Sequence, residues 1–238
     1  MENNVYSKSY SYGNSVDLAA AFPALMRKVY VWMTLALVVT ALSAYYVATT
    51  PAAFYAIFSN TALFYGLLIA EVVVVIAMTA LINKVSFVVA ALMMAAYSVL
   101  NGVTMASVFA VYEMSSIATT FFITAGTFAA MAIVGYTTKK DLTKMGGILM
   151  MALIGLIIAG VVNLFLKSDT VSFIVSGIGV LVFTGLTAYD SQKIKNMLAQ
   201  CDSVNDGTQK LALLGSLTLY LDFVNLFLYL LRFLGNRK

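Results

Sequence analysis

Long apolar segments alternate with short polar connections along this chain, and each apolar segment is about twenty residues long. An α-helix rises about 1.5 Å per residue, so about 20 residues are enough to cross the ~30 Å hydrocarbon core of a bilayer. We expect the sixth apolar segment to continue as a polar helical extension to about Ala199. The pattern predicts seven membrane-spanning helices, at residues 24–47, 63–82, 87–111, 117–136, 147–166, 171–189 and 211–234.

Small residues recur in the fifth and sixth predicted helices. Gly155 and Ala159 lie four residues apart in the fifth, and the sixth contains Ser172, Ser176 and Gly179. Such spacing lets helix backbones approach each other closely within a membrane. We therefore expect these two helices to pack tightly against neighbours.

The first 21 residues differ from the rest because they are polar and rich in serine, tyrosine and asparagine. They lack the basic region and adjoining apolar core that a secretory signal peptide has. Their low hydrophobicity predicts disorder. We therefore divide the chain into a disordered cytoplasmic tail at residues 1–21 and a seven-helix membrane domain at residues 22–238.

The composition places the protein in the membrane. Of its 238 residues, 62% are hydrophobic and only 10% are charged, whereas soluble domains have about 25% charged residues. A soluble chain of this length could not bury so much apolar surface. The fold class is therefore all-α, a polytopic integral membrane protein, and the net charge of +4 gives little support to nucleic-acid binding.

Cysteine and histidine usage excludes several kinds of chemistry. The single cysteine permits no internal disulfide and no zinc or iron–sulfur spacing. With no histidine, the chain has no histidine-based catalysis, metal ligation or pH sensing. We expect no bound cofactor, and any proton sensing near neutral pH must come from carboxyl groups.

Lysine and arginine concentrate on one side of the predicted bundle, which predicts a cytoplasmic N-terminus. That side then holds ten of the 14 cations. The last three cations would lie outside the cell if the chain crossed the membrane seven times, which contradicts the rule that cations remain inside. A last segment that re-enters the membrane and returns to the cytoplasm is therefore an open alternative. The ten are Lys8, Arg27, Lys28, Lys84, Lys139, Lys140, Lys144, Lys193, Lys195 and Lys210, and the other four are Lys167, Arg232, Arg237 and Lys238.

Two aspartates are the most informative polar residues. Asp222 lies in the middle of the seventh apolar segment, and Asp190 lies at the end of the sixth. A carboxylate in the middle of a membrane helix costs about 2.5–3.5 kcal/mol or more unless it is paired or hydrated. Because the two helices are consecutive, we expect Asp190 and Asp222 to form one shared site within the bilayer.

Other polar residues lie in the same apolar segments. Thr218, Asp222 and Asn225 recur at offsets of four and three, so they share a helix face that we expect to line the bundle interior. Thr218 and Asn225 can line a pore or simply hold helices together by hydrogen bonds. Glu71 in the second helix has no local partner, so either a function or pairing with a cation such as Lys84 or Arg27 is expected.

Two neighbouring carboxylates cannot both ionise cheaply, so the pair is expected to hold a shared proton. The protonated pair would lock the two helices together, whereas the ionised pair would repel. Ionised carboxylates are also hard oxygen ligands suited to Ca²⁺. The chemistry of Asp190 and Asp222 therefore predicts a proton-sensitive gate with affinity for cations.

The chain resembles the Bax inhibitor-1 family of transmembrane proteins, as a bacterial member. The resemblance covers residues 22–235 and is most specific in the sixth and seventh helices. The matching segments are 183–195 (FTGLTAYDSQKIK), 219–227 (LYLDFVNLF), Val29-Tyr30, Glu71 and Asn101-Gly102.

The resemblance implies a seven-helix fold whose last helix is central, with two three-helix layers around it. It also implies a pH-sensitive calcium leak in the bacterial inner membrane, with Asp190 and Asp222 as the pH sensor and Glu71 near the pore. In bacterial members an arginine low on the second helix holds the aspartate of the sixth. The nearest cation here is Lys84, whose point charge lacks the bidentate geometry of arginine.

Two other functions fit parts of the pattern. An intramembrane aspartyl protease also uses two aspartates on neighbouring helices, but Asp222 has no preceding Gly-x-Gly and the chain has no Pro-Ala-Leu segment. We therefore expect no enzymatic activity. A membrane protein that modulates a partner protease or channel without conducting ions remains the main alternative. The expected partners are otherwise the bilayer, Ca²⁺ and protons.

Overall fold

The computed structural model describes the backbone of residues 5–238 and the side chains of residues 21–238. The described residues form eight α-helices and one isolated β-bridge. The helices are α1 (Val5–Thr49), α2 (Pro51–Phe58), α3 (Thr61–Leu81), α4 (Phe87–Val111), α5 (Met114–Thr137), α6 (Thr143–Leu166), α7 (Asp169–Leu198) and α8 (Asp206–Leu234).

The first helix does not begin after Pro23, as the sequence predicted, because α1 continues through this proline. A proline inside a helix removes one backbone hydrogen bond. Here the neighbouring Leu25 and Val29 are fully buried, so tertiary packing holds the helix across the interruption. The predicted disordered tail of residues 1–21 lies almost wholly outside the residues whose side chains are described, and it stays a prediction.

The first span was predicted to end at residue 47, and α1 ends close to it, at Thr49, but a short helix follows. Proline at the first position of α2 has no N–H to leave unpaired, which explains why the helix restarts there. The α2 helix has no buried residue. The sequence analysis did not predict it.

Seven of the helices are long and apolar enough to cross a membrane, in agreement with the seven predicted spans. The all-α fold class is therefore confirmed. The sixth predicted span and its polar extension form one continuous helix, α7, so Asp190 lies within a helix and not at its end.

The last helix occupies the centre of the bundle, as the resemblance implied. The α8 helix contacts α1, α4, α5 and α7. The outermost helices are α3, which packs on α4, and α6, which packs on α7. Thus α1, α3 and α4 form one layer and α5, α6 and α7 form the other. Leu213, Leu219, Tyr220 and Leu226 of α8 are fully buried.

The structure does not support a re-entrant last segment. The α8 helix is continuous over 29 residues, and its end lies beside the connection between α4 and α5. There the N–H of Glu113 donates to the carbonyl of Asn236 at 3.1 Å, and the N–H of Lys238 donates to that of Val111 at 3.0 Å. Since α8 starts beside the α3–α4 turn and ends beside the α4–α5 connection, it runs the full length of the bundle.

Close helix contacts depend on glycines other than those expected on α6. Among the described residues, no atom of another helix lies within 4 Å of a Cβ built on Gly155. A Cβ on Gly135 of α5, in contrast, would lie 2.0 Å from the carbonyl oxygen of Ala188 on α7. On α7 itself, a Cβ on Gly179 would lie 2.4 Å from the ring of Tyr229. Gly135 and Gly179 therefore allow α7 to pack closely against α5 and α8.

We predict that Gly135→Ala destabilises the protein by about 1–3 kcal/mol, because the new methyl group overlaps a backbone atom that cannot move freely. Gly126→Ala is the matched control, since it lies on the same helix and has no neighbouring atom within 4 Å. Thermal unfolding in detergent should show a lower midpoint for Gly135→Ala only. Equal midpoints for the two variants would contradict the close approach of α5 and α7.

Candidate functional site

Asp190 and Asp222 meet between α7 and α8. Both residues are buried, at 9% and 4% exposure, and their carboxyl groups lie close enough to interact directly. Two ionised carboxylates have no donor, so a hydrogen bond between them would require one proton on the pair. The structure therefore brings together the two acids that the sequence placed in one site.

The pair is incompletely satisfied by its surroundings. Among the described side chains, and apart from the contact between the two carboxyl groups, Oδ2 of Asp222 and Oγ of Ser191 are buried without a hydrogen-bond partner. Buried polar atoms are nearly always paired, and an unpaired one costs about 1–3 kcal/mol. The site thus holds polar groups that would gain from water, an ion or a second arrangement.

Lys193 lies one turn along α7 from Asp190, and its positive charge acts on the Asp190 carboxyl group. Lys84 is exposed in the turn after α3, and α3 packs on α4 and α2, away from α7. The only ion pair within 4.0 Å among the described side chains joins Lys210 to Asp206. The geometry therefore does not bring Lys84 to Asp190, and no cation replaces the family's arginine by direct contact.

The bundle is tightly packed on the side of the pair nearer the start of α7. The rings of Phe183 and Tyr229 stack with their centroids 5.6 Å apart, and Tyr229 also fills the space above Gly179. Leu186 and Thr187 are buried between these rings and Asp190. Asp222 and Tyr229 of α8 therefore face α7, whereas Thr218 and Asn225 are only half-buried.

Thr218 and Asn225 do not join helices by hydrogen bonds. The Thr218 hydroxyl donates to the carbonyl of Leu214 at 3.1 Å, and the Asn225 amide donates to that of Leu221 at 2.8 Å. Both acceptors belong to α8 itself, and among the described residues neither side chain bonds another helix, so pore lining is the alternative that stays a prediction. Polar side chains within a helix can bond a carbonyl one turn earlier, which satisfies them without a partner helix.

Glu71 is held by hydrogen bonds from the neighbouring helix. Its Oε1 accepts from the Thr104 hydroxyl at 2.6 Å, and its Oε2 accepts from the Asn101 amide at 3.2 Å. Among the described side chains it has no ion pair, so the expected pairing with Lys84 or Arg27 does not occur. A role for Glu71 near a pore stays a prediction.

The hydrogen bonds at Glu71 continue into the centre of the bundle. The Tyr220 hydroxyl lies 3.0 Å from Oδ1 of Asn101 and 2.7 Å from Oγ1 of Thr40, which itself lies 3.0 Å from the carbonyl oxygen of Ser98. Two hydroxyl protons serve these three contacts, so the network has two alternative arrangements. The sequence analysis missed Tyr220 and Thr40, although a tyrosine in the middle of a buried helix needs a polar partner.

A polar cavity of about 350 Å³ opens beside α7, and Asp190 does not line it. Gln192 fixes one wall: its side chain accepts from the N–H of Leu142 at 2.9 Å and donates to the carbonyl of Lys140 at 2.8 Å. Lys193 lines the cavity and also acts on Asp190 by its charge. The lining residues are Thr143, Tyr189, Gln192, Lys193, Asn196, Met197 and Gln200.

The described residues contain no cluster of three or more acidic, cysteine or histidine side chains that could hold a metal. Asp190 and Asp222 thus offer two carboxyl groups, fewer than the six to eight oxygen ligands of a stable calcium site. Chemically, this pair can hold a proton, separate when ionised and give a passing cation two of its ligands.

Comparison with known proteins agrees with this geometry. The family model described as "Inhibitor of apoptosis-promoting Bax1" matches residues 23–238. "Inner membrane protein YbhL" of Escherichia coli K12 is 48% identical over 224 residues, which cover 94% of this chain and 96% of that protein. An uncharacterized protein of Borreliella burgdorferi is 44% identical, with 90% of this chain and 92% of that protein covered.

A more distant relative, an uncharacterized protein of Deinococcus radiodurans, is 36% identical over 90% of each chain. The family match includes both aspartates and all seven candidate spans, and the similarity to these relatives is nearly full-length. The resemblance inferred from the sequence motifs is therefore confirmed, and the chain belongs to the Bax inhibitor-1 family of membrane proteins.

Proposed function

We propose that this protein is a pH-sensitive calcium leak channel whose gate is the Asp190–Asp222 pair. The observation that carries the proposal is the contact between two buried carboxyl groups on the central helix and its neighbour. A structural role alone would be served better by apolar residues, because replacing a buried polar pair by apolar groups is often neutral or stabilising.

In the closed state the two carboxyl groups share one proton. Asp222 is the more deeply buried of the two, so it holds the proton and donates to Asp190. Lys193 lies one turn from Asp190 on α7, so its positive charge suits Asp190 as the acceptor. The pair then joins α7 to α8 about 10 Å along the bundle from the stacked rings of Phe183 and Tyr229, which close the neighbouring level.

Loss of the proton opens the gate. Two negative charges at hydrogen-bond distance repel strongly where water is scarce, so they separate or become hydrated. The unpaired Oδ2 of Asp222 and Oγ of Ser191 are the first groups available to entering water. It follows that the pair is closed at low pH and that flux rises as pH rises.

The carboxylates also suit the proposed ion. Calcium binds oxygen ligands with flexible geometry, and two carboxylates without a full coordination shell permit release as well as binding. Glu71 adds a third acid on the opposite side of α8. The polar cavity beside α7 provides a hydrated approach from the end of the bundle that holds most of the cations.

We place the protein in the bacterial cytoplasmic membrane with its N-terminus inside the cell. The E. coli relative is named as an inner membrane protein, and ten of the 14 cations fall on the same side of the predicted topology. Its partners are then the bilayer, Ca²⁺ and protons, and it needs neither a cofactor nor nucleic acid. The alternative is a membrane protein that modulates a partner without conducting ions, and a flux assay distinguishes this protein from a channel.

Calcium flux should depend on both aspartates. In liposomes containing a calcium dye, wild-type influx is expected to rise from about pH 6 to about pH 8, by up to about tenfold per pH unit, because one proton closes the gate. Asp222→Asn and Asp190→Asn should each give low flux that does not change with pH, since an amide can donate to the remaining carboxylate but cannot lose its proton.

Asp202→Asn is the matched control, because it removes an exposed aspartate from the loop between α7 and α8 and should retain the wild-type profile. A pH profile that persists in Asp190→Asn would exclude the pair as sensor. Absence of wild-type flux at every pH would favour the non-conducting modulator, and peptide cleavage by the same sample would favour an aspartyl protease.

Glu71→Gln should reduce the preference for calcium over sodium without abolishing flux. The variant keeps a side chain that can bond Thr104 and Asn101 but removes the negative charge. The ratio of calcium to sodium permeability in liposomes measures the effect. Glu113→Gln removes a charge from an exposed position and should leave the ratio unchanged; equal ratios in both variants would remove Glu71 from the ion path.

The orientation can be tested with single cysteines in a Cys201→Ser background. Burial, together with the charge of Asp202, raises the pKa of the native Cys201 thiol. Cys201 is therefore a poor target for maleimide, and replacing it removes the remaining background labelling. In spheroplasts, an impermeant maleimide should label Ser59→Cys, beyond the first span, but not Lys84→Cys, which should react in inverted vesicles. The reverse pattern would place the N-terminus outside the cell.

A further inference from the structure

A groove of about 690 Å³ runs between α1 and α5, separate from the aspartate pair. The α1 helix packs on α4 and α8, and α5 packs on α7 and α8, which leaves a gap between them. Phe223 of α8 forms its floor, and the wall residue Ala129 is exposed. The groove is almost entirely apolar along its length, apart from one end.

That end carries positive charge and hydroxyl groups. Arg27, Tyr30 and Tyr136 line it. Lys195 adjoins it, because its ammonium group donates to the carbonyl of Tyr136 at 2.7 Å and lies 5.2 Å from the centre of the Tyr136 ring. Among the described side chains, neither Arg27 nor Lys195 has an acidic partner within 4.0 Å.

The dimensions match one leaflet of a membrane. Arg27 and Leu37 lie ten residues apart on the α1 wall, which corresponds to about 15 Å along a helix. Half of the ~30 Å hydrocarbon core is about 15 Å. A chain that entered from the lipid would therefore extend from the membrane surface at Arg27 to the middle of the bilayer at Leu37.

We propose that this groove binds one anionic phospholipid from the leaflet on the Arg27 side. One acyl chain lies along the apolar walls above Phe223. The phosphate group lies at Arg27 and Lys195, and the tyrosine hydroxyls at the mouth donate hydrogen bonds to its oxygens. Charge complementarity selects an anionic headgroup, because the mouth has two cations and no acid to offset them. The proposal does not depend on ion flux.

Native mass spectrometry of the full chain in detergent tests the site, with dioleoylphosphatidylglycerol and dioleoylphosphatidylcholine as probes that share acyl chains. The wild type should bind one phosphatidylglycerol more tightly than phosphatidylcholine. Arg27→Gln should weaken phosphatidylglycerol binding about fivefold and leave phosphatidylcholine unchanged. Lys139→Gln, which removes a cation that does not line the groove, should behave as the wild type.

A second pair of variants tests the apolar part independently of charge. Ala129→Trp fills the groove and should abolish tight binding of both lipids, whereas Ala130→Trp places the same ring on an exposed neighbouring position outside the groove and should not. Equal affinity for the two lipids in the wild type would overturn the anionic selectivity. Unchanged binding in Ala129→Trp, with the protein folded, would overturn the groove as the site.

Discussion

The architecture depends on one constraint: two carboxyl groups are kept away from water inside a helix bundle. Each ionised carboxylate alone would cost several kcal/mol in that position, and in the proposed closed state a single proton lets one serve as donor to the other. This requires α7 and α8 to stay in register and in direct contact. Gly135 and Gly179 provide the close packing of α7 on which that register depends.

The central helix carries two polar sites on nearly opposite faces. Tyr220 and Asp222 are two residues apart, about 200° around the helix, so one faces α1 and α4 while the other faces α7. Any rotation of α8 that separates the aspartates must also move the Tyr220 hydroxyl. The two arrangements of the Thr40–Tyr220–Asn101 hydrogen bonds provide a way to accept such a movement without leaving Tyr220 unpaired.

Hydrophobic patterning was enough to predict the spans and their class, because a bilayer demands apolar segments of a fixed length. It also found Asp222, since a charge in such a segment is conspicuous. Patterning could not find Gly135, whose role depends on a backbone oxygen 53 residues later in the chain. Nor could it predict that Thr218 and Asn225 bond their own helix, or that Lys84 lies on the opposite layer from Asp190. These facts depend on which helix faces which.

The two acidic sites differ in a way that bears on which can switch. Both oxygens of Glu71 accept hydrogen bonds from neutral donors, so its environment is satisfied in one state. The buried Oδ2 of Asp222 accepts no hydrogen bond from a neutral donor, and the hydroxyl of Ser191, which follows Asp190 in the chain, is buried without a partner, so the surroundings of the pair do not fully satisfy its ionised state. A fully satisfied buried network is rigid, whereas an unsatisfied one retains a driving force for rearrangement. The proposed gate therefore belongs at the aspartates, and Glu71 is better suited to a fixed charge on the ion's path.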